Sequence, residues 1–226
     1  MARELGGKHV VVVGATGALG ARIAAHLAAA GARVSAIVRD HTRLDGASVF
    51  QYALADVTDS GALRLAFASV ATAAPIDGVV NATGVVAFGG IGELDDTTLA
   101  KLFAVNATAP IVMLRESATL IADGGFFVNI SGVVATQPVA GMAAYSASKA
   151  AAWAAMSAVA RELRRRQIDL IDARPPHTET GLATRAIAGV APKMPVGLTP
   201  DAVAARIVAA IVAGERDLPT EAFATQ

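Results

Sequence analysis

Cysteine is absent from the 226-residue sequence, and aromatic and charged residues are scarce. Without cysteine the chain forms no disulfide, no thiolate nucleophile and no cysteine-ligated metal site, and it fits a reducing cytoplasm. Lysine plus arginine number 19, as do aspartate plus glutamate, so the net charge is zero. A neutral chain has no general attraction for nucleic acid or anionic lipid, so we predict neither as a partner.

Two further shortages bear on metal binding and location. The four histidines are scattered, with no helix-spaced pair, so we predict no metal site. The N-terminus carries Glu4 and is not followed by an apolar run with a cleavage site of the kind that directs export. We therefore predict a soluble protein in the cytoplasm.

The apolar residues that are present are mainly alanine, valine, leucine and isoleucine, because hydrophobic residues make up 54% of the chain and aromatics only 4%. Strand-like and helix-like segments alternate, which favours a parallel sheet with helices on both faces and a single domain over residues 1–226. Predicted strands cover 10–13, 33–38, 49–54, 78–81, 126–130 and 168–173, and predicted helices cover 21–30, 59–71, 97–121, 143–166 and 200–213.

A glycine-rich turn lies between the first strand and the first helix, with glycines at 14, 17 and 20. Glycines there allow a sharp turn and a close approach to a pyrophosphate, which then contacts the free amides at the helix N-terminus. A plain tight turn is the alternative, but the strand before and the helix after favour a dinucleotide site in a doubly wound, Rossmann-type α/β fold. The predicted cofactor contacts in the turn are Gly14, Thr16, Gly17, Ala18, Leu19 and Gly20.

The residues after the second strand indicate which dinucleotide is bound. An acidic residue at the strand end would bind the 2′-hydroxyl of NAD, but Val38 is there and Arg39 follows. A guanidinium can bind a 2′-phosphate through two hydrogen bonds, so NADP(H) is favoured over NAD(H). The neighbouring Asp40 argues the other way, and a solvated Arg39–Asp40 loop pair is the remaining alternative.

Tyr145 and Lys149 stand four residues apart at the start of the long predicted helix, which places them on one helix face. A tyrosine is a poor base at neutral pH unless a nearby cation lowers its pKa, and Lys149 can supply that cation. A surface pair at helical spacing is the alternative.

Several motifs in order make the chain resemble the short-chain dehydrogenases/reductases over nearly its whole length. They are the glycine turn, Asp56-Val57 after the third strand, Asn81-Ala82-Thr83-Gly84 after the fourth, Asn106 within the central helix, and Tyr145 with Lys149. The resemblance implies an oxidoreductase that transfers a hydride between a nicotinamide and a carbonyl or alcohol substrate.

The resemblance also implies a role for each motif. Tyr145 exchanges a proton with the substrate oxygen, while Lys149 holds the nicotinamide ribose and lowers the pKa of Tyr145. Asn106 would hold a water in a locally opened helix. Asp56 and Val57 would contact the adenine, and the 81–84 turn would line the cofactor.

The chain departs from the family pattern where that family has a catalytic serine. Gly132 occupies the expected position, 13 residues before Tyr145, and Ser131 stands one residue earlier. A shift of one residue on a strand turns a side chain to the opposite face, although a bulge at the strand end could redirect it. Ser131 is therefore an open candidate for the catalytic donor.

A second departure follows the sixth strand. Pro175, Thr178 and Thr180 resemble the segment that steadies the nicotinamide, but Pro176 replaces the usual glycine. His177 is a possible extra donor or a solvent-facing residue, and the latter is the more common situation for a lone loop histidine.

Substrate and assembly follow from the resemblance and from the composition of the expected lining. Segments 85–93, 133–144 and the loop after Thr180 are apolar and glycine-rich, which predicts an apolar small-molecule carbonyl or alcohol substrate. The family implies a homodimer or tetramer through the helix around Trp153, and we predict a dimer. The tail 214–226 lacks a recognisable final strand. Because the serine is missing, a non-catalytic NADP(H)-binding sensor stays the alternative to an enzyme.

Overall fold

The computed structural model describes residues 2–44 and 48–224. The predicted domain 1–226 therefore includes Met1, residues 45–47 and residues 225–226, which lie outside the described residues. Within the described ranges the strands are β1 (His9–Val13), β2 (Arg33–Val38), β3 (Gln51–Leu54), β4 (Ile76–Asn81), β5 (Ile121–Ile130), β6 (Asp169–Ala173) and β7 (Asp217–Leu218).

The helices alternate with these strands. They are α1 (Ala18–Ala29), α2 (Ser60–Ala71), α3 (Asp96–Phe103), α4 (Ala109–Ala118), α5 (Ala143–Glu162) and α6 (Pro200–Ala213). A π-helical segment, Ala104–Thr108, joins α3 to α4, and short 3₁₀ turns occupy Ile91–Glu93, Val133–Ala135, Leu163–Arg166, Ala183–Arg185 and Thr220–Phe223.

All seven described strands form one parallel sheet in the order β3-β2-β1-β4-β5-β6-β7. The strand order reverses between β1 and β4, because the chain builds outward from β1 to β3 and then returns to the other side of β1. Ligands of doubly wound sheets bind beyond the carboxyl ends of the strands at such a reversal. The predicted Rossmann-type α/β fold is confirmed.

Helices cover both faces of the sheet, and each face has its own apolar core. On one face α1 and α6 pack together over alternate residues of the strands, including Val10, Val12 and Val34. On the other face α2, α4 and α5 cover Val11, Val13 and the intervening strand residues. A sheet buried on both sides explains the continuous valine run in β1, where all five residues are buried.

The prediction of one regular helix over 97–121 is wrong in two respects, namely where the helix ends and whether it is a continuous α-helix. It ends at Ala118, and Ile121 already belongs to β5, whose first residues pair with β4 at Ile76. Gly124 and Gly125 interrupt the apolar pattern of this strand, which hid its first half from the sequence. The π-helical segment at 104–108 widens the middle of the predicted helix.

The tail contains a final strand that the sequence did not reveal. β7 is only two residues long and pairs with β6, where Asp172 lies opposite Asp217 and Ala173 opposite Leu218. A two-residue strand has no period to detect in a sequence. Thr199 accepts a hydrogen bond from the amide of Ala202, as expected for the predicted cap of the last helix.

One helical stretch among the described residues, 96–118, has the length and hydropathy of a possible membrane span. Half of its most apolar window is buried inside the protein, where the stretch packs against α2, α5 and the sheet. Core helices of globular domains have the same properties, so this stretch is weak evidence for a membrane span.

Gly78 in β4 gives a test of the packing between strands. A Cβ at this position would lie 2.1 Å from the fully buried ring of Phe126 on β5. We expect Gly78→Ala to lower the free energy of unfolding by about 1–3 kcal/mol, the usual cost of overpacking. Urea denaturation measures the change.

Two companion variants make this test specific. Gly6→Ala is the control, because nothing lies within 4 Å of a Cβ at that exposed position, and it should change stability by less than about 0.5 kcal/mol. In a double-mutant cycle, Gly78→Ala should cost less when Phe126 is replaced by leucine. Strict additivity of the two substitutions would contradict the clash.

Candidate active site

The glycine turn between β1 and α1 is shaped by close backbone contacts. Gly14 has a φ of +87°, and a Cβ on Gly20 would lie 2.2 Å from the carbonyl oxygen of Gly14. Both positions therefore require glycine. The α1 helix begins with Gly17 as its N-cap and without a side-chain capping bond. Its first amides, from Ala18 onward, are left to bind an anion such as a pyrophosphate.

Arg39 and Asp56 follow the ends of the neighbouring strands β2 and β3. Both side chains are exposed. Two hydrogen bonds from Thr58 lower the pKa of Asp56, and the charge of Arg39 contributes in the same direction. Asp40 is bound locally, because its carboxylate accepts from the amide and the hydroxyl of Thr42. The loop therefore presents Arg39 near Asp56 while Asp40 is tied to its own turn.

The turn after β4 connects the predicted cofactor site to the catalytic residues. The Oδ1 atom of Asn81 accepts from the amide of Thr83 at 3.1 Å and from its hydroxyl at 2.6 Å. The amide of Ala82 donates to Val13 at the end of β1. A Cβ on Gly84 would lie 3.3 Å from Lys149 Nζ, so this glycine leaves room for the lysine side chain.

Asn106 lies in the π-helical segment and is buried. Its side chain binds the extended segment that follows the 81–84 turn: Oδ1 accepts from the amide of Val85 at 3.0 Å, and Nδ2 donates to the carbonyl of Val85 at 2.9 Å. Nδ2 also donates to Ser148 Oγ at 3.1 Å. The locally opened helix that the resemblance implied is present at this residue.

Tyr145 and Lys149 come from the first turns of α5. Lys149 is buried, and its Nζ donates to the carbonyl oxygen of Ile130 at the end of β5, at 2.9 Å. Between them on the helix, Ser148 donates to the carbonyl of Tyr145 at 2.7 Å. The structure thus brings together Asn106, Tyr145 and Lys149, with Ser148 as a link that the sequence did not indicate.

Burial shifts the pKa values of the two residues in opposite directions, because it favours the uncharged form of each. Tyr145 lines a cavity but lies deep among protein atoms, and this burial raises the pKa of its hydroxyl to about 12. Burial lowers the pKa of Lys149 to about 8, while the charge of Asp172 raises it. Desolvation is the cause of the Tyr145 shift in the chain without cofactor, and the lowering of its pKa by Lys149 in the loaded site stays a prediction.

Ser131 is not placed as a donor to a substrate carbonyl. It is buried, and its hydroxyl donates to Asp172 Oδ2 on β6 at 2.5 Å. The strand alternation explains this direction, since Ser131 shares a face with Asn129 two residues earlier, and Asn129 also donates to Asp172. Gly132 has a φ of +78° and carries no hydroxyl. The sequence interpretation of Ser131 as the catalytic donor is not supported by this geometry.

The segment after β6 lies against the segment after β5. The carbonyl of Pro175 accepts from the amide of Val133. Thr178 donates to the carbonyl of Pro176, and Thr180 accepts from the amide of Leu182. His177 is about one-third exposed and lies 3.2 Å from Glu179. These contacts hold Pro175, Thr178 and Thr180 beside the strand ends.

An open cavity of about 390 Å³, including space continuous with solvent, has Tyr145 in its wall. The predicted lining segments contribute Phe88, Ile91 and Met142. The loop after Thr180 contributes Ala188, whose carbonyl accepts from the amide of Phe88 and so holds the loop across the cavity. Residues of α3 and the turn before it, which the sequence did not indicate, add Leu94, Asp95, Thr98 and Leu102.

Asn129, Asp172 and Arg174 are polar residues near this site that sequence reasoning missed. Asp172 and Arg174 are buried and form an ion pair of 3.2 Å. The sequence contained a signal for this pair, namely Asp172 inside the apolar run of β6. A buried carboxylate costs free energy unless it is paired. The described residues contain no cluster of three potential metal ligands.

The buried positive charge of Lys149 should reduce the stability of the protein without cofactor. A pKa lowered from 10.5 to about 8 corresponds to a charging cost on the order of 3 kcal/mol below pH 8. The lost hydrogen bond to Ile130 offsets about 1 kcal/mol, so Lys149→Met should raise the free energy of unfolding by about 1–2 kcal/mol at pH 7. Chemical denaturation measures it.

The gain in stability from Lys149→Met should decrease as the pH rises. Between pH 8 and 10.5 the unfolded state binds the Lys149 proton more than the native state does, so wild-type stability rises with pH and the advantage of Lys149→Met shrinks. Lys101→Met, on an exposed position of α3, is the control and should show no such trend. A Lys149→Met protein that is less stable at every pH would contradict the expected charging cost.

Comparison with known proteins places this geometry in a family. Residues 8–190 match the family model described as short chain dehydrogenase. An uncharacterized oxidoreductase of Methylorubrum extorquens is 32% identical over 199 residues, which cover 82% of this chain and 79% of that protein. The L-xylulose reductase of Caenorhabditis elegans is 30% identical, with 69% and 66% of the two chains covered.

Solved structures agree in fold. A short chain dehydrogenase from Burkholderia cenocepacia, crystallised in complex with NADP, superimposes with a TM-score of 0.84 at 28% identity and covers 96% of this chain and 98% of that chain. The family model covers most of the chain. The chain belongs to the short-chain dehydrogenase/reductase family and is an NAD(P)-binding oxidoreductase of alcohol or carbonyl groups.

Proposed function

We propose that the protein is an NADP(H)-dependent reductase of a small carbonyl compound. The observation that carries this proposal is Tyr145 in the cavity wall, with Lys149 one helical turn away and Asn106 linked to the backbone of Tyr145 through Ser148. A partly buried proton donor beside an open cavity is what carbonyl reduction requires from the protein.

The residues of the chain fit a dinucleotide. The cradle at Gly14 and Gly20 has no space for side chains, and the first amides of α1 have no side-chain cap. The pyrophosphate would lie on the 14–20 turn, the adenosine beside Arg39, Asp56 and Val57, and the nicotinamide end near the 81–84 turn, Tyr145, Lys149, Pro175, Thr178 and Thr180. When bound, the dinucleotide supplies the hydride.

The protonation states of the two residues at neutral pH are compatible with proton donation by Tyr145. Since the pKa of Tyr145 is raised to about 12, its hydroxyl keeps its proton and can give it to a substrate oxygen that gains negative charge. Lys149, with a pKa of about 8, is a cation at pH 7. Its charge stabilises the phenolate that is left after the proton has moved.

The preference for NADP(H) rests on Arg39. Its exposed side chain lies at the end of β2, where a 2′-phosphate would be placed, and Asp40 is held by Thr42. A carboxylate bound to its own turn is a poor partner for a ribose hydroxyl, whereas a guanidinium can bind a phosphate through two hydrogen bonds. The NADP complex of the Burkholderia cenocepacia relative agrees with this assignment.

The finer expectations about substrate, assembly and location follow the same reasoning. Phe88, Ile91 and Met142 in the cavity wall support an apolar substrate. A homodimer through the face around Trp153 agrees with the partly exposed apolar side chains of Phe103 and Ile111 on the neighbouring helical stretch. We propose that the dimer acts in the cytoplasm, where reduced NADP is abundant.

Tyr145→Phe tests the reductase proposal. The NADPH absorbance is followed with a panel of ketones, aldehydes and quinones, and the variant should lose about 10²- to 10⁴-fold in rate because it cannot donate a proton. The chain has one other tyrosine, Tyr52, which is half exposed and stacks on His41. Tyr52→Phe is the matched control and should keep full activity. Tight NADPH binding without turnover of any substrate would favour the cofactor-binding sensor instead.

Arg39→Ala tests the cofactor preference. The Kd for NADPH should rise by about 10-fold or more, because a bond to a charged phosphate is worth about 1.5–3 kcal/mol, while the Kd for NADH should change little. Intrinsic fluorescence titration measures both. Arg64→Ala, on an exposed position of α2, is the control for the loss of one positive charge. Equal weakening of NADPH and NADH by Arg39→Ala would refute a contact with the 2′-phosphate.

A further inference from the structure

A row of polar side chains crosses half of the sheet at the carboxyl ends of its strands. The strand register aligns Asn81 on β4, Asn129 on β5, Asp172 on β6 and Asp217 on β7. On the other side of the strand reversal, the corresponding residue of β1 is Val13. The polar half of the row lies beneath α5, the helix that carries Tyr145 and Lys149, since α5 packs on β6.

Hydrogen bonds along the row converge on Asp172. Asn81 Nδ2 donates to Asn129 Oδ1 at 3.0 Å, and Asn129 Nδ2 donates to Asp172 Oδ1 at 3.0 Å. Ser131 and Arg174 Nη1 donate to the other carboxyl oxygen, at 2.5 Å and 3.2 Å. Burial raises the pKa of Asp172, but the three donors on its carboxyl group oppose this and favour the ionised form, which can only accept.

The end of β5 joins this carboxylate to the catalytic lysine. Lys149 Nζ is held by the carbonyl oxygen of Ile130, and the hydroxyl of the next residue, Ser131, is held by Asp172. Consecutive residues of one strand end thus bind the buried cation and the buried anion. All of these side chains are less than one-tenth exposed, so water screens their charges little.

We propose that Asp172 is a positioning residue of the reductase: with Ser131 it fixes the end of β5 that holds Lys149, and its negative charge keeps Lys149 a cation. The inference rests on the proposed function for its role in turnover, but not for its effect on Lys149. In this arrangement Ser131, one residue before the position where the family has its catalytic serine, binds Asp172, which is the counter-ion of Lys149.

The other groups around Lys149 leave Asp172 as its source of negative charge. From α5 the neighbours are Tyr145, which is uncharged at neutral pH, and Ser148, and from the π-helical segment the neighbour is Asn106. Directly after β6, the cation Arg174 binds the same carboxylate, and its positive charge does not favour a charged lysine. The charge of Asp172 is the one that raises the Lys149 pKa against burial.

Arg174 provides the alternative in which Asp172 has a purely structural role. Its guanidinium binds Asp172 at 3.2 Å and also Asp217 on β7 at 2.8 Å, while its backbone amide donates to Leu218. If Asp172 served only as a partner of Arg174, replacing either carboxylate would have the same kind of effect. The proposal requires different effects, because Asp217 is largely exposed and lies on the far side of Arg174.

The test measures the Lys149 pKa directly, by side-chain NMR on lysine-labelled full-length protein without cofactor. The chain has four lysines, and Lys8, Lys101 and Lys193 are exposed, so the buried signal is distinct and Lys149→Met assigns it. Asp172→Asn should lower the Lys149 pKa by at least about one unit, because an opposite charge close by in a dry site is lost. Asp217→Asn should leave it unchanged. An unchanged pKa in Asp172→Asn, or equal shifts in both variants, would overturn the proposal.

A second measurement covers the case in which Asp172→Asn does not fold. In the wild-type protein the Lys149 signal should move once more at acidic pH, when Asp172 takes up its proton. Ser131→Ala keeps the carboxyl group but removes one donor, so it should raise the pH of this second step. The absence of any such step in the wild type, or a step that Ser131→Ala leaves in place, would also overturn the proposal.

Turnover separates this inference from the proposed function. If the reductase proposal holds, activity falls as pH rises through the Lys149 pKa, and Asp172→Asn should shift that fall to lower pH by the same amount as the NMR shift. This comparison of pH profiles uses the wild type and Asp172→Asn, and not Tyr145→Phe. If no variant turns over any substrate, the reductase proposal fails while the NMR result still decides the role of Asp172.

Discussion

Buried polar groups destabilise a protein unless each one is hydrogen-bonded, and this chain places a continuous row of them under its active site. Asn81, Asn129, Asp172 and Arg174 bind one another from β4 to β6, and Asp217 of β7 completes the row. Each of these side chains keeps its hydrogen bonds only while the neighbouring strands keep their register. The row therefore fixes the strand ends from which the cofactor turn at 81–84, Ser131 and the segment after β6 all begin.

The same row shapes the electrostatics of the site. Lys149 is buried because α5 packs directly on β6, and burial alone would favour its neutral form. A carboxylate inside the sheet compensates for part of this cost, and the carbonyl of Ile130 holds the ammonium group in place. The charge of Lys149 is thus unfavourable for folding, and its proposed role in proton transfer fits the common relation between stability and function in active sites.

The unusual position of the serine has a physical explanation in this arrangement. Gly132 bends the chain at a φ of +78°, and the hydroxyl one residue earlier turns down to the sheet rather than up to the cavity. Tyr145 and Thr98, and not Ser131, are the hydroxyl-bearing residues in the cavity wall. The hydroxyl that the resemblance offered as a candidate donor to the substrate is therefore bound to Asp172 instead.

Local patterns in the sequence determined the fold class, the glycine turn and the Tyr145–Lys149 pair, and the resemblance to a family added Asn106. Valine runs, helix caps and short spacings act over a few residues, and they are legible without a structure. Tertiary structure decided the direction of Ser131, the buried partners of Asp172 and the existence of β7. It also set the pKa of Tyr145, which burial raises in the chain without cofactor. These features depend on strand register and on desolvation by residues that are distant in the chain. Ser131 and Asp172, for example, are hydrogen-bonded although they are 41 residues apart. No local pattern in the sequence records either effect.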